Sequence, residues 1–353
     1  MNHLNQIAAR LAEYQIDAML VSSEPGEFYA VGLHGEGFAV VSGSGTRYIT
    51  DSRYAEAARE TVTGAEMVIV GDQGYAALIN EFIDAHGIQT LGIEDGYMPL
   101  KQYQGLKKDL HARLVPANGL LTGLRAAKDS EEFTRMEKAQ RITDRAFDDI
   151  LTFIRPGMTE AEIAARLVYS MLRLGAQKTS FDPIVASGPN GSKPHAVPGP
   201  QQVQKGEFIT MDFGCIYEGY CSDMTRTVAL GQIDDDKRRV YETVLAAQKA
   251  GIAASRAGVP GSEIDAAARG VIQEAGYGRF FGHAYGHSVG IEIHESPNAS
   301  PRDHTPMPVG AMVSAEPGIY LPGQFGVRIE DVVRMDAGGC TDITHSPKEL
   351  IIL

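Results

Sequence analysis

The chain has 353 residues and 43% hydrophobic content, enough for two domains that each bury a core. It carries 45 acidic against 32 basic residues, a net charge of −13, with no long basic run. That balance speaks against nucleic acid and anionic membranes as partners, since both attract positive patches. No apolar run approaches the roughly 20 residues that span a bilayer.

The opening MNHLNQIAARLAEYQIDAMLV sets Leu4, Ile7, Ala8 and Leu11 at helical spacing and mixes charges among them, unlike a signal peptide. Cys215, Cys221 and Cys340 form no CxxC pair and, being odd in number, no closed disulfide framework. A soluble cytoplasmic protein is therefore expected. DAMLVSS and GFAVVSG read as short buried strands, AALINEFIDAHGI as a helix and QTLGIED as a strand. This alternation predicts an α/β domain over residues 1–122, closed by the turn-like segment PANGLLTG.

Beyond it the texture changes. Ser130 opens a long helix through Ile154, which Arg155-Pro156-Gly157 stops. Thr159 and Glu162 fit a capping box, and the helix behind them runs to Leu174 and ends at Gly175. ITMDFGCIYEGYCSDMTRTVAL, residues 209–230, reads as two strands joined by a glycine-containing turn. Helices over about 235–256 and 262–275 follow, then strand and loop material rich in Gly and Pro to Leu353. Long helices beside segregated strands predict an α+β domain over residues 123–353.

Five polar residues of this second half sit inside apolar strand-like text. They are Asp212 (ITMDFG), Asp223 (CSDMTRT), His287 (GHSVGIEI), Glu316 (MVSAEPGIY) and Glu330 (GVRIEDVV). Singly, each reads as a turn, cap or loop residue. Together, four carboxylates drawn into one apolar setting would repel each other and hold protons. Two divalent cations cancel their charge of −4, and such a pair turns water into a nucleophile at neutral pH. Carboxylates plus imidazole, with no thiolate, suit Mn²⁺ best, with Co²⁺, Fe²⁺ or Zn²⁺ also accommodated.

MDFG, SDMTRT, GHSVGIEIHESP, SAEPGIY and GVRIEDVV, in that order, resemble the signatures of the pita-bread metallopeptidases. SGPNGSKPHAVPG and the ending SPKELIIL resemble the Xaa-Pro branch, and FYAVGLHGEG with ITDSRY resembles its creatinase-type N-terminal domain. The resemblance implies a creatinase-like α/β domain followed by an α+β pita-bread (creatinase/aminopeptidase) domain. It also implies that Asp212 chelates one metal, Asp223 and Glu330 bridge two, and His287 and Glu316 complete the shell. His195, His283 and His294 match substrate-handling positions, and a homodimer is implied.

The resemblance implies, as the reaction, hydrolysis of the Xaa-Pro bond at the N-terminus of dipeptides or short peptides. Glu316 would relay a proton to the leaving nitrogen, and His195 and His294 would hydrogen-bond the oxyanion or leaving group. His283 would line the pocket for the residue after the cut or orient the loop of His287. Arg328, two residues before Glu330 and on the same strand face, would hydrogen-bond a metal-bound carboxylate. Two other readings stand beside this one: a hydrolase or lyase of the same fold acting on a non-peptide small molecule, and an inactive binding protein on that fold.

Overall fold

Apolar runs too short for helices become strands in the first part of the chain, at Ala18–Val21, Phe38–Ser42 and Thr90–Ile93. In this computed structural model, which describes residues 2–353, they join Gly45–Thr50, Glu66–Ile69 and Arg113–Pro116 in one six-stranded sheet. Ala18–Val21 lies inside the sheet, antiparallel to Phe38–Ser42 and parallel to Thr90–Ile93. The helix Gly74–His86 buries Leu78, Ile79, Phe82 and Ile83, one face at three- and four-residue spacing, in a core with Leu20, Val40 and Leu91.

The segment expected as a turn, PANGLLTG, is instead the end of the strand Arg113–Pro116 followed by a helix, Asn118–Arg125. Asn118 and Gly119 carry turn chemistry, but burial of Leu120 and Leu121 overrides it. The first compact unit accordingly runs to Arg125, and the second is Ala126–Leu353.

In the second unit two helix pairs cover two sheets. Ser130–Phe153 and Glu160–Arg173 each begin with a capping box, Asp129 with Glu132 and Thr159 with Glu162. Met136, Ala139, Thr143, Phe147 and Ile150 make the buried face of the longer helix. The pair packs on an antiparallel sheet of Ile184–Ser187, Glu207–Phe213 and Met224–Leu230. Asp235–Ala254 and Gly261–Glu274 bury Val240, Val244, Ile264 and Ala268 against a second sheet containing Gly286–Ser288, Met312–Ala315 and Asp331–Asp336. Gly318–Leu321 and Phe325–Arg328 form a separate hairpin. Among the described residues, no helix is long and apolar enough to cross a membrane.

The stretch 209–230 is more than one turn between two strands. Glu207–Phe213 and Met224–Leu230 pair in register, Asp212 opposite Thr225, but a smaller hairpin of Cys215–Tyr217 and Tyr220–Cys221 stands between them. The turn glycine, Gly219 (φ 82°), belongs to that inner hairpin.

The C-terminal tail is woven into this unit. Ala229 donates its N–H to Ile351, and Leu353 donates back to Ala229. Asp144, on the long helix, accepts from the backbone of His345 and Ser346. Arg226, 1% exposed, donates to the carbonyls of Glu330, Ser346 and Pro347 and pairs with Asp331 at 2.7 Å. Burial alone would raise the Asp331 carboxyl, but Arg226 and Lys348 hold it below the usual carboxylate range.

Arg226→Met should therefore lower the stability of this unit by about 1–3 kcal/mol, because it strips the buried carbonyls of Glu330, Ser346 and Pro347 of a donor while Lys348 still pairs with Asp331. A urea midpoint equal to the parent's would show that the network contributes nothing.

Candidate metal centre

Four separate segments of the second unit deliver the five predicted ligands. Asp212 and Asp223 come from the paired strands, with Asp223 just ahead of Met224. His287 lies in Gly286–Ser288, whose approach to the next strand needs glycine: a Cβ on Gly286 would sit 1.8 Å from the Ser314 carbonyl oxygen. Glu316 follows Met312–Ala315 and donates its N–H to the Tyr285 carbonyl. Glu330 lies between Phe325–Arg328 and Asp331–Asp336, and its N–H is bonded to the Thr225 carbonyl at 3.0 Å.

The side chains converge. One ligand atom from each of Asp223, His287 and Glu330 lies within 4.8 Å of the others. His287 Nε2 is 3.6 Å from Asp223 Oδ2 and 3.3 Å from Glu316 Oε1. Asp212 is tied in through Arg328, whose Nη2 donates to Oδ2 at 2.6 Å, while Oδ1 is buried with no hydrogen-bond partner.

Electrostatics test whether these residues fit a cation. Asp223 and Glu330 are 3% and 1% exposed. Burial pushes the Asp223 carboxyl well up, with Asp212 and Glu316 adding to it. Burial, then Asp223 and Glu316, raise Glu330 in the same way. Glu316 is pushed up to about 7 by burial, Arg328 opposing and Asp212 reinforcing. Burial lowers His287 and keeps its ring neutral. Its Nδ1 lies 3.2 Å from the Ser288 carbonyl and donates to it, which leaves the Nε2 lone pair facing two carboxylates. Lone pairs facing lone pairs, and an orphaned Asp212 oxygen, are what divalent cations would satisfy. The donor set fits them.

The cluster opens into a cavity of about 600 Å³ that His195, His283 and His294 also line. The His294 ring stands edge-on to His287, centroids 4.3 Å apart. The segment that follows it is pinned by a buried ion pair, Lys128 to Glu295 at 3.0 Å. His283 has both ring nitrogens engaged, Nδ1 with the Ala284 carbonyl and Nε2 with the Tyr320 hydroxyl at 2.9 Å. Burial lowers its pKa to about 4, so it accepts from Tyr320 as a neutral ring.

Sequence reading missed Thr225 and Tyr320. Thr225 Oγ1 donates to Glu330 Oε2 at 2.6 Å and accepts from Arg328 Nε at 3.0 Å. Tyr320 accepts from Arg328 Nη1 at 2.7 Å. Arg328 thus orients Asp212 directly and Glu330 through Thr225. The alternation Asp223, Thr225, Thr227 in SDMTRT was a signal for Thr225, since alternate strand residues share a face. Lys128 and Glu295 are 167 positions apart and gave none.

Residues 134–337 match the model of metallopeptidase family M24, and residues 3–127 match the creatinase/prolidase N-terminal domain. An Xaa-Pro dipeptidase of Pyrococcus horikoshii is 34% identical, over 99% of this chain and 100% of its own length. The structure of an Xaa-Pro dipeptidase from Bacillus anthracis matches with a TM-score of 0.96 at 40% identity, covering 99% of both chains. That of an X-Pro aminopeptidase from Thermotoga maritima matches with a TM-score of 0.91 at 34% identity, covering 97% of this chain and 99% of its own. The expected fold class holds: a creatinase-like N-terminal domain and a C-terminal pita-bread domain.

Raised carboxyl pKa values mean that the metal-free centre holds protons at pH 6, which a cation must displace. Manganese affinity should rise with pH through about 7, roughly tenfold per pH unit for each linked proton, as Glu316 ionises. Calorimetry in buffers of different ionisation enthalpy should register the released protons. A pH-independent affinity without proton release would rule out carboxylates of raised pKa as the ligands.

Proposed function

The chain belongs to metallopeptidase family M24, and from that premise we propose that it is an exopeptidase cutting the Xaa-Pro bond at the N-terminus of dipeptides or short peptides. The observation that carries this reading is the convergence of Asp223, His287 and Glu330 on one point, with Glu316 and Asp212 beside them. These five residues would hold two divalent ions, which when bound supply Lewis acidity toward a carbonyl and acidify water.

The chain's own groups do the rest. Glu316 takes a proton on Oε1 or Oε2 and passes it to the leaving nitrogen, a role suited to a carboxyl poised near neutrality. Ser314 donates to its Oε1 at 3.0 Å and so fixes the orientation of the carboxyl beside His287. His195 and His294 donate hydrogen bonds to the carbonyl oxygen as charge develops there. His283 offers its ring face and, through Tyr320, steadies Arg328. Arg328 keeps Asp212 and, through Thr225, Glu330 in position.

Manganese as the metal rests on the oxygen-rich ligand set. A homodimer rests on the family resemblance. A cytoplasmic location accords with three free thiols, Cys215, Cys221 and Cys340.

Metal-stripped protein should leave Xaa-Pro peptides intact and, on manganese add-back, release the first residue alone. Full activity in the stripped state, or release of internal fragments, would refute the proposal. The histidines and the ligands should also separate. His195→Ala should bind as much manganese as the parent while kcat falls about 100- to 1000-fold, whereas Asp223→Asn should lose metal. Equal metal loss in both variants would contradict the division of labour.

A further inference from the structure

We infer that the cleft favours peptides that continue past the residue after the cut and discriminates against free dipeptides. This rests on the exopeptidase reading and refines its substrate class.

In an Xaa-Pro dipeptide the C-terminal carboxylate lies one residue beyond the scissile bond, inside the cavity. A carboxylate taken from water needs a cation or several charge-assisted donors. Among the described residues lining the cavity, Arg328 is the one lysine or arginine. Four of its five N–H donors are already taken: one on Nη2 by Asp212, Nε by Thr225, and both on Nη1 by Tyr320 and the Pro194 carbonyl. It is also 3% exposed. Lys193, in the loop that carries His195, does not line the cavity, and its Nζ donates to Asn190 Oδ1 at 3.1 Å. His195 and His294 are engaged at the reacting carbonyl in the mechanism above.

The carboxylate that the lining exposes to solvent has the wrong sign for a second one. Two divalent ions would cancel Asp212, Asp223, Glu316 and Glu330, which leaves Arg328, buried and engaged by its partners, and Asp182, which is exposed. Asp182 is flanked by Phe181 and Pro183, and Pro194, Val197 and Pro198 line the same cavity. Val197 is 82% exposed, an apolar side chain offered to solvent beside the site. Such a wall offers a terminal carboxylate no free cation and sets Asp182 beside it. It suits a continuing chain, whose next peptide bond is neutral and whose next side chain can cover Val197 and Phe181.

The test compares Ala-Pro, Ala-Pro amide and Ala-Pro-Ala with the manganese-loaded protein. The amide removes the terminal charge and leaves the rest of the dipeptide unchanged. The amide and the tripeptide should exceed Ala-Pro in kcat/KM by about tenfold or more, mostly through KM, as expected for a like-charge juxtaposition. Asp182→Asn should narrow that ratio by improving Ala-Pro, with Ala-Pro-Ala little changed. Ala-Pro cleaved as well as its amide by the parent would overturn the inference and leave the exopeptidase reading standing. Failure to cleave any of the three would sink that reading, and this inference with it.

Discussion

Everything in the second unit depends on one electrostatic constraint: four carboxylates are held in a half-closed interior where their charges cannot coexist unaided. Arg328 supplies a single positive charge and aims it at Asp212. Burial and mutual repulsion drive Asp223, Glu330 and Glu316 toward their protonated forms. An apolar core of the same volume would be more stable. A site that keeps such groups together, with a neutral imidazole facing them, has the electrostatics of a cation-binding centre and not of a structural core.

The surrounding fold keeps that arrangement rigid. Asp212 and Asp223 ride on strands whose register is fixed over seven residue pairs. Glu330 is held by its backbone to Thr225 and from behind by Arg226, which also gathers Ser346, Pro347 and Asp331. The C-terminal tail thereby braces the segment that carries Glu330. Rigid first contacts of this kind, supported by hydrogen bonds one layer out, let a site act without reorganising.

Much of this was legible in sequence because it is local. Capping residues announced the helices at 130 and 160, and carboxylates stood out against the apolar text around 212, 223 and 330. What stayed hidden was set by distant partners. Tyr320 reads as an ordinary strand tyrosine until Arg328 and His283 are seen on either side of its hydroxyl. The inner hairpin at 215–221 was folded into a single turn because Cys215, Ile216 and Tyr217 gave no break in the β pattern. The helix at 118–125 was masked by Asn118 and Gly119, whose turn preference yielded to burial of the leucines behind them. His283 matched a substrate-handling position, yet its two ring nitrogens are both engaged within the protein.

The most direct measurement is anomalous diffraction from a crystal soaked in manganese. The account predicts two peaks within the space enclosed by Asp212, Asp223, His287, Glu316 and Glu330. No peak among these side chains, or side chains turned away from a common centre, would contradict it.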